Sequence, residues 1–133
     1  MTTKMNPVVH FEMPYENKDR TAKFYSSVFG WQTQFMDSSM GNYILATTTE
    51  SGPHGRPANP GAINGGFFAK SVDKPGQVPS VVIAVDNIKD HVKKVTSAGG
   101  KVLGEPVEIP GVGLYVSFVD PEGNRVSMLQ PKQ

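Results

Sequence analysis

Placed against itself with an offset of about 70 residues, so that His10 meets Ser80, the chain brings Ala22 onto Val92, Tyr25 onto Val95, Val28 onto Ala98 and Gly30 onto Gly100 without a gap. An internal repeat of this kind restricts the fold to two copies of one supersecondary unit. The unit can be read from either half. In the first, Val8 to Met13 is β-rich and closes at Pro14, which has no amide hydrogen for a ladder. Ala22, Tyr25, Val28 and Phe29 recur at helical spacing and stop at Gly30, a helix C-cap residue. Trp31 to Met36 and Tyr43 to Thr48 flank the turn cluster Asp37 to Asn42, as a hairpin does. A turn-rich stretch from Thr49 to Pro60 precedes a fourth strand, Ile63 to Ala69.

The second half gives the same order. Ser80 to Val85 is a short apolar strand, Asp86 or Asn87 an N-cap, and Ile88, Val92 and Val95 a helical stripe ended by Gly99-Gly100. Lys101 to Ile109, Leu114 to Val119 and Arg125 to Gln130 then read as strands. Aligning Asn59-Pro60-Gly61 with Asp120-Pro121-Gly123, one residue skipped, sets Gly65 against Ser127. The expectation is an α+β fold of two βαβββ modules in a single domain, residues 1–133. Module one covers about 7–70, a linker about 71–79, and module two about 80–131. Fourteen glycines and eleven prolines agree with many short elements.

Composition removes several classes of function. A net charge of +1, from 13 Lys and Arg against 12 Asp and Glu, gives no basic field for a nucleic acid backbone. Without cysteine there is no disulfide, thiolate metal site or thiol nucleophile, which suits a reducing cytoplasm. No apolar run is long enough to span a bilayer, and Met1 to Pro7 lacks the apolar stretch of a secretory signal. The expected partner is a small molecule, with no nucleic acid and no membrane.

Phe24-Tyr25 in the first helix, Phe29-Gly30-Trp31 at its end and Asp120-Pro121-Glu122-Gly123-Asn124 before the last strand, on the duplicated βαβββ order, resemble the vicinal oxygen chelate superfamily of glyoxalase I, bleomycin resistance proteins and extradiol dioxygenases. His10-Phe11-Glu12-Met13-Pro14, Ile63 to Phe68 and Ile109 to Gly113 are similar to its short glyoxalase-like bacterial members. The resemblance implies a cup-shaped mixed sheet with helices outside, a ligand in the cup and a homodimer. It also implies a divalent metal held by His, Gln or Glu from the first and last strand of each module.

At those four positions the chain offers His10, Gly65, Ser80 and Ser127. His10 is the one strong donor, and one imidazole with two neutral hydroxyls is not a divalent-metal site. A slip of one residue at the fourth strand would offer Asn64 instead of Gly65. The expectation is therefore no metal and no cofactor, with His10 read as lining a pocket in preference to a structural or metal-binding role. Glu12 lies two residues on, hence on the same strand face. A buried carboxylate there needs a partner, for which His10 and Arg125 are candidates. Gly65, Phe67 or Phe68, Tyr115 and Arg125 complete the expected ligand-binding set with Ser80 and Ser127, although the sequence does not fix which face Phe67, Phe68 and Tyr115 show. No strand-turn-helix serine motif supports a serine nucleophile at Ser80, Ser117 or Ser127. His54 and His91 read as surface residues. Binding of a small molecule without the family's metal is the favoured function, and a metal-dependent glyoxalase-like lyase or isomerase, or a dioxygenase, is the alternative. Acid–base chemistry by His10 with Glu12 is a third reading.

Overall fold

A computed structural model describes residues 4–53, 57–73 and 77–132. The elements are β1 (Val8–Tyr15), α1 (Lys18–Phe29), β2 (Gln32–Phe35), a 3-10 turn (Ser38–Met40), β3 (Ile44–Thr47), β4 (Asn64–Ala69), β5 (Ser80–Ala84), α2 (Ile88–Ser97), β6 (Lys101–Ile109), β7 (Gly113–Val119) and β8 (Arg125–Pro131). The fold is α+β, two βαβββ modules, as the repeat predicts. Two compact units divide the chain, one of His10–Pro79 and one joining the chain up to Val9 with Ser80 onward. Among the described residues no helix is long and apolar enough to cross a membrane.

The helix ends are set by matched local signals. Asn17 caps α1 by accepting from the Arg20 amide at 2.9 Å, and Asn87 caps α2 by accepting from the Asp90 amide at 3.1 Å. Each cap satisfies an amide that the helix leaves without an internal partner. Gly30 ends α1 in the left-handed region, with φ +72°, and its amide donates to the Ser26 carbonyl.

In the first unit the strand order is β2-β3-β4-β1, with β1 and β4 parallel and the other pairs antiparallel. β1 runs two residues past the expected stop at Met13. Pro14 removes only its own amide, and the Tyr15 carbonyl still accepts from the Lys70 amide at 2.9 Å. Phe11, Met13 and Tyr15 pack with Ile44, Ala46, Phe67, Tyr25 and Trp31 into one apolar cluster. His10 and Glu12 alternate with these residues and so occupy the other face of β1.

The second unit reproduces the arrangement as β5-β8-β7-β6, with β5 and β8 parallel and the rest antiparallel. Its core is Val85, Ile88, Val116 and Met128, packed with Val92, Val95, Val102 and Phe118. The turn before β8 is closed by one side chain. Asp120 accepts from the Glu122 and Asn124 amides at 2.9 Å each and from Asn124 Nδ2 at 3.0 Å. Those bonds hold its carboxyl below the usual carboxylate range, the Asn124 side chain being the largest cause. The Asp-Pro-Glu-Gly-Asn motif is thus a turn that starts β8 at Arg125.

Candidate functional site

The first polar group lies on the His10 face of β1. Glu12 is 8% exposed, and the Tyr43 hydroxyl donates to its Oε2 over 3.0 Å. The same hydroxyl lies 3.0 Å from His10 Nε2. Tyr43 therefore bridges an imidazole and a carboxylate that the strand alternation had already set on one face. Gly66 makes room for the bridge, since a Cβ there would overlap the Tyr43 ring. No sequence motif pointed to Tyr43. Its signal was positional: it stands two residues before Leu45, whose partner is Gly66, itself the partner of Glu12.

Burial pushes the His10 imidazole below its ordinary pKa, and the Glu12 charge opposes that shift. A proton on His10 therefore costs more in the folded chain than in the unfolded one. The resulting stability is fully present above about pH 6.5 and is lost as pH falls from there toward the lowered folded value, because the unfolded chain takes up its proton first. Urea denaturation at about pH 7.5 and about pH 5.5 is expected to show a larger loss for the wild type than for His10→Asn. Equal losses would show that His10 is as well solvated as a surface imidazole.

Two of the expected site residues belong elsewhere. Gly65 pairs with Phe11, not with His10, and a Cβ on it would lie 2.5 Å from the Phe11 ring. The position opposite His10 is Asn64 and that opposite Glu12 is Gly66. The register is thus one residue from the one that matching Gly65 with Ser127 implied. Phe67, on Gly65's face, is 1% exposed and sits in the apolar cluster with its ring 5.2 Å from Tyr25. It is a core residue, and Phe68 is the neighbour that shares the Glu12 face.

The second polar group lies in the other unit. Ser127 pairs with Ser117 on β7 and with Val82 on β5, and Tyr115 pairs with Leu129, so Val82, Tyr115, Ser117, Ser127 and Leu129 share one face. Ser80 and Arg125 join it by alternation along their strands. Ser127 Oγ, on a residue 2% exposed, lies 2.8 Å from both the Tyr115 hydroxyl and Ser117 Oγ. Arg125 Nη2 donates to Ser117 Oγ over 3.4 Å. Four of the expected residues, Ser80, Tyr115, Arg125 and Ser127, thus fall on one sheet face. Ser117 was considered in the sequence only as a nucleophile; the antiparallel register of β7 and β8 makes it a member of the group. His91 is exposed beside the Asn87 carbonyl, and His54 lies outside the described residues.

The metal implied by the resemblance does not fit the donors present. Among the described residues no three His, Asp or Glu side chains come together closely enough to hold an ion. Asn64, opposite His10, already accepts from the Thr48 amide at 2.8 Å through its Oδ1. Ser127 is committed to two other hydroxyls. Neutral hydroxyls and an engaged amide are poor substitutes for carboxylate and imidazole ligands.

Comparison with known proteins agrees with the architecture. The Mycobacterium tuberculosis protein CFP32 is 31% identical over 123 residues, a match covering 90% of this chain and 42% of that protein. The chain therefore spans about two fifths of the length of that relative. A glyoxylase-like domain-containing protein of Didymella fabae is 32% identical over 116 residues, covering 85% of this chain and 84% of its own length. A Streptomyces coelicolor methylmalonyl-CoA epimerase variant, solved with 2-nitronate-propionyl-CoA, superposes with a TM-score of 0.71 at 12% identity over 98% of this chain and 100% of its own. At that identity the likeness is one of fold. The sequence model of the Glyoxalase/Bleomycin resistance protein/Dioxygenase superfamily matches residues 8–128, and the chain belongs to that superfamily.

Proposed function

We propose that this superfamily member binds a small molecule without the family's metal. The carrying observation is the hydroxyl group around Ser127: its contacts of 2.8 Å to Tyr115 and Ser117, with the Arg125 guanidinium donating to Ser117, form a network of hydroxyls and a cation that supplies no negative charge to balance a divalent ion. Leu129, half-buried, adds apolar surface on the same face, so the molecule is small, partly apolar and carries one or two polar groups. Residues 1–133 act as one domain with a linker at about 71–79, and a second copy of the chain is the protein partner. The proposed compartment is the cytoplasm, with which a chain free of cysteine agrees. A metal-dependent lyase, isomerase or dioxygenase is the alternative, favoured by the name of the Didymella fabae relative and opposed by the donor set.

Metal analysis of protein purified without a polyhistidine tag tests this reading. After dialysis the expected content is far below one ion per chain, and a chelator is expected to leave Tm unchanged within about 1 °C, because nothing that binds only the folded state has been removed. Stoichiometric metal that disappears in His10→Ala would establish the alternative. Sedimentation of a monomer at micromolar concentration would remove the dimer and leave the binding function standing.

A further inference from the structure

The hydrogens available to His10, Tyr43 and Glu12 determine which ring nitrogen of His10 carries a hydrogen. Tyr43 has one hydroxyl hydrogen and donates it to Glu12 Oε2 over 3.0 Å. A carboxylate has no hydrogen to give back. The tyrosine oxygen, its hydrogen committed, can only accept from His10 Nε2, which lies 3.0 Å away. Nε2 therefore carries the hydrogen, and in a neutral imidazole the lone pair is then on Nδ1. Nδ1 makes no hydrogen bond among the described residues. The arrangement is that of an imidazole held in one tautomer by a second group, which a third group holds in turn.

We infer that His10 Nδ1 is a fixed hydrogen-bond acceptor for a small molecule on its own face of β1, a molecule that presents a hydroxyl, enol or N–H to it and not a carbonyl or ether oxygen. Tyr43 and Glu12 are positioning residues: they set the tautomer. The inference rests on the metal-free reading above, since a metal at His10 would occupy a ring nitrogen. It narrows the ligand class to protic molecules. A donor aimed at Nδ1 gains a hydrogen bond, whereas an oxygen that can only accept meets a lone pair there.

Long-range proton–nitrogen NMR on the full chain reads the tautomer directly. The sequence has three histidines, so His10→Gln assigns the signal. In the wild type at neutral pH the expected pattern is protonated Nε2 and unprotonated Nδ1. In Tyr43→Phe the two nitrogen shifts are expected to move toward each other as both tautomers become populated. Phenol, titrated as a donor probe, should move the Nδ1 resonance upfield, and anisole, its methyl ether, should leave it in place. A protonated Nδ1 in metal-free wild type, an unchanged tautomer in Tyr43→Phe, equal responses to phenol and anisole, or no response to either, would each overturn the inference. Metal analysis of the same sample separates the two failures. Stoichiometric metal overturns the proposed function and this inference with it, whereas metal-free protein with the wrong tautomer overturns this inference alone.

Discussion

Replacing Gly113 with alanine is expected to destabilise the protein by about 3 kcal/mol or more, a fall in Tm of roughly 10 °C. Gly113 opens β7 with φ +146°, a conformation that L side chains rarely adopt, and a Cβ there would overlap the Gln130 carbonyl oxygen and crowd the Lys132 amide. Those neighbours are backbone of the paired strand, where Gly113 faces Pro131, so relief requires opening the ladder. Gly104 is the internal control. Its φ of +90° is also left-handed, but a Cβ would meet nothing within 4 Å. Gly104→Ala should therefore show backbone strain alone, about 1–2 kcal/mol. Urea denaturation of both variants separates strain from collision. If Gly113→Ala unfolds with the wild type, the β7–β8 register is wrong.

Phe67→Ala is expected to cost about 3–5 kcal/mol, the range for removing a fully buried aromatic ring from a packed core. Phe67 touches Ile44, Tyr25 and Trp31 in a cluster with little freedom to collapse, because Tyr25 and Trp31 are themselves stacked at 4.8 Å. Phe68→Ala, at a half-buried position, should cost less than half as much. Thermal melts of the pair distinguish core from site. A Phe67→Ala variant that melts like the wild type would return Phe67 to the ligand-binding set.

The repeat was legible because it is written in local signals. Asn17 and Asn87, the left-handed Gly30 and Gly99, and the apolar stripes between them specify helix ends and faces through contacts within a few residues. The choice between Gly65 and Gly66, and between Phe67 and Phe68, was not legible. Adjacent residues of the same type carry no alternation to read, and the choice is made by the register with β1, which pairs Gly65 with Phe11 and Phe67 with Met13. Tyr43 escaped for a related reason: its partners His10 and Glu12 are more than thirty positions away in sequence, and no short motif spans that separation. The grouping of Ser80, Arg125 and Ser127 could be anticipated because each stands at an aligned position or at an even spacing along its strand from one, whereas the face of Tyr115 was open until β7 was paired with β8. Ser117 needed the pairing of β7 with β8 to join them.

The parallel pairs have a consequence for how the chain reaches this fold. The pairs β2–β3, β6–β7 and β7–β8 meet through short connections, but β1 pairs with β4 through His10 and Asn64, and β5 with β8 through Val82 and Ser127, partners roughly fifty residues apart. Closing such a loop costs entropy before the contact returns anything, so hairpins such as β6–β7 form early and the two parallel seams form last. His10 lies on one seam and Ser127 on the other. The Ser127 hydroxyl group, held across the β7–β8 hairpin, is therefore in place before its parallel seam closes, whereas the group of His10, Tyr43 and Glu12 waits for the β1–β4 seam.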